Sequence, residues 1–418
     1  MKKVAFYTLG CKVNQYETDA MKVLFSDKGY ELVDFHDDAD FYIVNSCTVT
    51  ENSSKKSKQI INRIKREHPE AKVVVTGCMA EEEKQGKIQL KNVDLVIGTA
   101  NKERIVEILE EKEEEKNIDL LQAEYWETGD IISKEKTRAY IKIEDGCNNY
   151  CTYCIIPYMR GRVRSRTTDS VISQVKKVLD LGIKEIVLIG IHLASYGKDL
   201  GNVTLLDLLK EINSIDGDFR IRLGSLEPNF VSEESVKDLV KLEKLCPHFH
   251  LSLQSACNAT LKRMNRKYTI EEFMDKVRIL RENFDIVSLT TDVITGFPGE
   301  TDEEFEITYN NLKEMQLNKL HVFPYSKRVG TVAANMEGQI KEEVKNERAN
   351  RLIKLSEYEE YEFRKKFIGK EMNVLLEKRE KDGCRLGYNE QYINVYLRNG
   401  SAGDLIKIVG TEENLKLQ

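Results

Sequence analysis

Cys147-Asn148-Asn149-Tyr150-Cys151-Thr152-Tyr153-Cys154 places three cysteines within eight residues, at a C-x3-C-x2-C spacing. Thiolates are soft ligands that suit iron, and a compact loop of this kind can reach three irons of a cubane. No fourth cysteine lies nearby; the next is Cys246. Three ligands on a four-iron, four-sulfur cluster leave one iron open to bind a molecule that reacts. The competing readings are a zinc loop and a disulfide knot. Structural zinc normally takes four protein ligands, and the uneven spacing suits it poorly. Nine cysteines behind an N-terminus that does not read as an export signal argue for metal or catalysis over disulfides.

Outward from this stretch, strand and helix patterns alternate. Strand-like runs are Tyr140–Ile143, Glu185–Ile191, Phe219–Leu226, Phe249–Leu253, Val287–Ile294 and Leu320–Tyr325, with amphipathic stretches such as Ser170–Leu181 and Ile270–Asn283 between them. Six β/α units predict an open, partial barrel. Polar or glycine-bearing segments follow the strands, where catalytic groups of such folds collect, and the cysteine loop follows the first strand. Arg160, Arg162, Arg164 and Arg166 alternate just behind the loop. In an extended chain the four would point to one side, suited to phosphates or carboxylates. The other expectation for such a run is solvated surface or salt bridges.

Upstream, three short apolar runs each end in a cysteine: Val4–Leu9 before Cys11, Phe41–Val44 before Cys47, and Val73–Val75 before Cys78. Helical patterns separate them (Glu17 to Lys28 and Ser53 to Glu67), then Val93–Ile97 and a helix from Lys102 to Glu110 follow. This predicts a doubly wound β/α domain, whose ligands sit beyond the carboxyl ends of the strands. Cys11, Cys47 and Cys78 would therefore converge, although 36 and 31 residues separate them. Three buried structural cysteines are the alternative.

The expected division is residues 1–114 for this domain, an acidic linker over 115–136, the barrel over 137–366 and a small antiparallel β-barrel over 367–418. The acidic run Glu110–Lys116 and the polar stretch holding Trp126 read as solvated linker. A charged helix from Lys341 to about Phe367 precedes the last segment. Small β-barrels often bind RNA through exposed aromatics, and Tyr388 and Tyr392 are candidates. Yet Lys370 to Gln418 carries eight basic and eight acidic residues, so charge alone does not support it. The net charge of −6 confines any nucleic-acid surface to a local patch. No apolar stretch is long enough to span a bilayer, and Met1–Tyr7 runs straight into a strand, so no membrane and a cytoplasmic location are expected.

The cysteine loop, with Tyr153 before its last cysteine, resembles the radical S-adenosylmethionine enzymes. Thr8-Leu9-Gly10-Cys11-Lys12-Val13-Asn14-Gln15-Tyr16-Glu17-Thr18, Asn45-Ser46-Cys47-Thr48-Val49-Thr50 and Val75-Thr76-Gly77-Cys78 look like the methylthiotransferase N-terminal domain. Arg160-Gly161-Arg162-Val163-Arg164-Ser165-Arg166 and Leu261-Lys262-Arg263-Met264-Asn265-Arg266 match motifs of the same family, and Gly387-Tyr388-Asn389-Glu390-Gln391-Tyr392 looks like its TRAM domain. The resemblance implies two four-iron clusters. One, on Cys147, Cys151 and Cys154, chelates S-adenosyl-L-methionine; the other, on Cys11, Cys47 and Cys78, binds the sulfur to be delivered. It also implies cofactor contacts from Tyr153, Ser225, Glu227, Ile294 and Val322, and substrate contacts from the four arginines, Tyr388 and Tyr392. Implied partners are tRNA, a flavodoxin- or ferredoxin-like electron donor and a sulfur source. The implied reaction is methylthiolation of C2 of threonylcarbamoyladenosine, open or cyclic, next to the anticodon. Relatives act on isopentenyladenosine in tRNA or on a ribosomal-protein aspartate. A reading of another class is a non-catalytic iron–sulfur RNA-binding redox sensor.

Overall fold

A computed structural model describes residues 1–111, 118–128, 131, 137–201 and 203–417. The chain gathers into two compact units that do not follow its order: one of Met1–Ile131, Glu144–Arg166 and Ser326–Asn335, the other of Ile132–Ile143, Thr167–Tyr325 and Met336–Gln418.

The first unit is built on β1 (Lys3–Thr8), β2 (Glu31–Val33), β3 (Phe41–Ser46), β4 (Lys72–Gly77) and β5 (Leu95–Val96), all parallel in the order β2-β1-β3-β4-β5. Because the sheet is buried on both faces, its strands read as continuous apolar runs. Ile43 and Val74 pack with Met21 and Phe25 of α1 (Lys12–Asp27) and Ile105 of a later short helix; Tyr42, Val44 and Val75 pack with Ile61 and Ile64 of α2 (Glu51–Glu67). The doubly wound reading holds. Thr50 caps α2 by accepting from the Ser53 N–H at 3.1 Å. The short helices α3 (Cys78–Lys84) and α4 (Ile105–Leu109) complete this part.

Residues 112–116 of the acidic run lie outside the described residues. The described stretch 118–128 is packed rather than free: Trp126 lies against the Val4–Phe25 core, and the Thr128 hydroxyl is 2.9 Å from that of Tyr16. After β6 (Ala139–Lys142) of the second unit, the chain rejoins the first as the ribbon β7 (Glu144–Asp145) and β8 (Arg164–Ser165), with α5 (Ile156–Arg160) between them.

In the second unit, α6 (Thr168–Asp180), β9 (Glu185–Ile189), α7 (Leu205–Asn213), β10 (Arg220–Leu223), β11 (Ser225–Leu226), α8 (Glu233–Leu239), β12 (His248–Leu251), α9 (Asn258–Arg263), α10 (Ile270–Asn283), β13 (Ser288–Thr295), α11 (Asp302–Met315) and β14 (Lys319–Pro324) alternate as expected. The parallel order runs β6-β9-β10 and then β11-β12-β13-β14, because the Phe219–Leu226 run breaks at Gly224 into two strands. Helix-facing residues such as Ile186, Ile221, Phe249, Leu289 and Val293 form one large core.

Beyond α12 (Glu342–Lys365), β15 (Glu371–Lys381), β16 (Cys384–Tyr388), β17 (Asn394–Leu397) and β18 (Leu405–Val409) make an antiparallel sheet ordered β17-β16-β15-β18. Arginines at the starts of the barrel strands hold it. Arg220 donates to the carbonyls of Asn373 (2.9 Å) and Tyr388 (2.8 Å), Arg222 to those of Glu390 and Asn389 (both 3.2 Å), and Arg138 to Glu377. Glu185, fully buried, sits among Arg138, Arg220 and Arg222. Burial raises its carboxyl, but the three guanidinium groups outweigh that and hold it at about 2.

Candidate metal centres and cofactor site

Cys11 caps α1, Cys47 follows β3 directly, and Cys78 opens α3 directly after β4. Since β1, β3 and β4 are adjacent and parallel, these turns stand side by side: Leu9 N–H donates to Asn45 O at 3.0 Å, and Ser46 is in register with Gly77. Gly10 and Gly77 carry φ of 105° and 89°. A Cβ on Gly10 would stand 3.0 Å from the Cys47 Sγ, and one on Gly77 would overlap the Ser46 carbonyl. Both glycines are therefore required for the cysteine turns to approach one another. Cys47 and Cys78 are buried and Cys11 is exposed. Burial pushes the Cys78 thiol up to about 12 against the pull of Arg160, and burial also raises Cys47.

Segments distant in sequence brace these turns. Arg328 donates to Thr48, the neighbour of Cys47, to Ser54 at 3.1 Å and to Glu82 of α3 at 3.1 Å. Five residues further on, Ala333 N–H donates to Thr152 O at 2.8 Å, within the Cys147–Cys154 loop. That loop closes on itself: Cys147 N–H donates to Gly161 O at 3.1 Å and Cys154 N–H to Cys151 O at 2.9 Å. Its three cysteines and Tyr153 are all partly exposed. Ile155 and Met159 pack on Cys78, so both cysteine groups belong to the same unit.

The arginine run does not share one face. Arg160 ends α5, Gly161 turns at φ 76°, and only Arg164–Ser165 is a strand, so the alternation of an extended chain is broken. Arg160 is 1% exposed and bonded to Glu17, Asn14 and Asp145. Arg166 is buried against Glu127 at 3.0 Å, Arg164 is partly buried on the Arg160 carbonyl at 2.7 Å, and Arg162 alone is exposed. Arg160 and Arg166 are thus tied into the scaffold by salt bridges, the other expectation for the run, rather than left for phosphates or carboxylates of a ligand.

In the second unit, Ser225 is exposed and Glu227 lies near it, gripped by Arg266 at 2.9 and 3.1 Å. Burial raises the Glu227 carboxyl, and Arg266 opposes the rise. His192 Nε2 lies 3.9 Å from Glu227; burial, then Lys198 and Arg266, lower this imidazole to about 4, so it is neutral at pH 7. Ile294 and Val322 are partly buried and paired in neighbouring strands as Ile294↔Phe323 and Val293↔Val322. In the sequence Arg266 stands out only within the Leu261–Arg266 motif; its partnership with an acid 39 positions away had no local signal. Tyr388 and Tyr392 stack at 4.5 Å, with Arg138 and Arg222 over their faces. They are packing partners of barrel arginines, with Tyr392 still 39% exposed.

Residues 141–312 match the radical SAM superfamily, and residues 3–98 match the uncharacterized protein family UPF0004. The threonylcarbamoyladenosine tRNA methylthiotransferase MtaB of Bacillus subtilis is 41% identical over 98% of this chain and 93% of its own length. The chain belongs to the radical SAM methylthiotransferase family. The MtaB of Aquifex aeolicus is 42% identical over 90% of this chain and 92% of its own. A tRNA-2-methylthio-N(6)-dimethylallyladenosine synthase of Acetivibrio thermocellus is 36% identical over 88% and 79%. The radical S-adenosylmethionine methyltransferase TsrM of Kitasatospora setae shares the fold, with TM-score 0.58 at 15% identity over 80% of this chain and 77% of that one.

The donor set fits what membership in this radical SAM family implies. Two groups of three cysteines are presented by turns that glycines and backbone hydrogen bonds shape. Among the described residues no three His, Cys, Asp or Glu side chains stand close enough for one metal ion. A cubane takes each thiolate on a different iron and so asks for a wider spacing.

Proposed function

We propose that this methylthiotransferase places a methylthio group on C2 of threonylcarbamoyladenosine, in open or cyclic form, beside the anticodon of tRNA. What supports this above all is the side-by-side placing of Cys11, Cys47 and Cys78 at three adjacent strand ends, in a chain whose 41–42% identical relatives bear that activity in their names. The relatives named for dimethylallyladenosine are 35–36% identical, which favours the first substrate.

When bound, S-adenosylmethionine and two four-iron clusters supply a carbon radical, a methyl group and sulfur. The residues of the chain bind and orient. Cys147, Cys151 and Cys154 would hold the cluster that works with S-adenosylmethionine. Cys11, Cys47 and Cys78 would do the same for the sulfur-bearing cluster. Tyr153, Ser225, Glu227, Ile294 and Val322 contact S-adenosylmethionine, with Glu227 held in place by Arg266. Arg162, still exposed, is the member of the arginine run suited to a phosphate, and the Tyr392 edge of the C-terminal sheet is suited to a base. No described helix is long and apolar enough to cross a membrane, and we place the enzyme in the cytoplasm with a flavodoxin- or ferredoxin-like electron donor and a separate sulfur source. We assign roles to 1–114, a connecting stretch 115–136, 137–366 and 367–418; the two compact units divide the chain differently.

Mass spectrometry of tRNA nucleosides from a strain lacking this protein tests the proposal. Loss of 2-methylthio-threonylcarbamoyladenosine, restored by the parent chain but not by Cys11→Ala, is expected. Loss of the methylthiolated dimethylallyladenosine instead would overturn the substrate assignment.

A further inference from the structure

Phe249, Leu251, Leu289, Val293 and Leu320 of β12, β13 and β14 pack into the large core with helix residues such as Phe273, Leu312 and Leu352. Side chains alternate along a strand, so the residues between these point to the opposite face of the sheet. His250, Thr290, Asp292 and His321 stand together on that face, because His250 is in register with Thr290 and Asp292 with His321. His250 Nδ1 is 2.9 Å from the Thr290 hydroxyl and its Nε2 is 3.3 Å from Asp292 Oδ2. The His250 and His321 rings lie 5.4 Å apart.

The face is closed at one end and open at the other. His248, two residues before His250, is buried with its ring 5.4 Å from that of Tyr392 in the C-terminal sheet region. Phe323, two residues past His321, is 49% exposed. Between these ends, His250 is fully engaged but its neighbours are not. Neither ring nitrogen of the exposed His321 has a hydrogen-bond partner among the described residues, and the half-buried Asp292 carboxylate has only its contact with His250. A donor and an acceptor thus sit side by side with capacity to spare. They do not form a site for one metal ion. His321 directly precedes Val322, and Asp292 is two residues before Ile294, the two residues assigned above to S-adenosylmethionine.

We propose that His321 and Asp292 recognise the polar arm on N6 of the substrate nucleoside. His321 donates to a carboxyl or carbonyl oxygen of the arm, and Asp292, steadied by His250 and Thr290, accepts from its hydroxyl. This rests on the reading that the substrate is threonylcarbamoyladenosine. In either protonation state the imidazole carries at least one N–H, so the contact does not depend on its charge. C2 and N6 flank N1 of one ring, so an arm held at these strands keeps the reacting carbon beside the cofactor. A dimethylallyl arm has neither hydroxyl nor carboxyl, and would cover His321 and Asp292 without pairing them. Sites built to hydrogen-bond a substrate discriminate against an apolar analogue for this reason.

The test measures binding, by the anaerobically reconstituted full-length protein, of one tRNA carrying threonylcarbamoyladenosine, dimethylallyladenosine or plain adenosine beside the anticodon. The parent should prefer the threonylcarbamoyl form over plain adenosine by about tenfold or more. In His321→Leu and Asp292→Leu that preference should fall to within about threefold of none, while His321→Gln, which keeps an N–H donor, should retain most of it. Affinity for the plain-adenosine tRNA is the check on folding, since it is read on the same samples. Should His321→Leu and Asp292→Leu both fail to fold, diethyl pyrocarbonate labelling of the parent decides: the threonylcarbamoyl tRNA should shield His321 more than the plain-adenosine tRNA does. An undiminished preference in the leucine variants, a glutamine variant as impaired as His321→Leu, or equal shielding would overturn the inference. A parent that prefers the dimethylallyl tRNA would instead sink the substrate reading beneath it.

Discussion

Glu185→Gln isolates what fastens the C-terminal sheet to the barrel. Glu185 is fully buried, and its two oxygens serve Arg138 at 3.0 Å, Arg220 at 2.5 Å and Arg222 at 3.3 Å. The same arginines donate to the carbonyls of Asn373, Tyr388, Asn389 and Glu390. A carboxyl held at about 2 against an ordinary 4.5 is stabilised as the anion by ~3 kcal/mol. Removing one partner of a buried ionic network costs about the same or more, because the remaining charges stay buried without compensation. The sign follows from the direction of the shift. The folded value is depressed, so this stabilisation is complete above about pH 4.5 and is lost as pH falls towards 2. Amide hydrogen exchange on the full-length protein at pH 7 should show β15 and β16 exchanging about a hundredfold faster in the variant. The gap between variant and parent should narrow below pH 4.5. A change of less than about threefold at pH 7 would refute the view that Glu185 organises the arginines.

Three further outcomes are expected. Replacing Cys11, Cys47 or Cys78 with alanine should abolish methylthiolation yet leave reductive cleavage of S-adenosylmethionine, read as deoxyadenosine release, whereas Cys147, Cys151 or Cys154 to alanine should abolish both. Gly77→Ala should cost about 1–3 kcal/mol, since φ is 89° and the new methyl meets the Ser46 carbonyl, and should lower the iron-to-protein ratio of the purified chain. Arg266→Met removes the cation that opposes the burial of Glu227, so the Glu227 carboxyl should titrate higher than in the parent; infrared difference spectra of its C=O band would show this.

The convergence of Cys11, Cys47 and Cys78 was legible because a parallel sheet puts equivalent strand ends together whatever the sequence separation. Buried strands such as Phe41–Ser46 announce themselves as unbroken apolar runs. What escaped was local geometry of short reach. α3 is only seven residues long and begins on Cys78 itself, so it offered no periodic pattern. β16 carries Arg385 and Gly387 and did not read as a strand. The arginine alternation misled because a turn at Gly161 resets the register midway. Tyr388 and Tyr392 looked like free aromatics, but pairing with Arg138 and Arg222 is a tertiary fact that neither segment carries alone.

The first unit takes its parts from three separate stretches of chain, ending at Asn335. A ribosome that has made only the first hundred or so residues has therefore made a sheet whose cysteine turns still lack Arg160 and Arg328. Those turns reach their finished form only once most of the polypeptide has been synthesised, and a fragment cut after α4 would present three thiols without these braces.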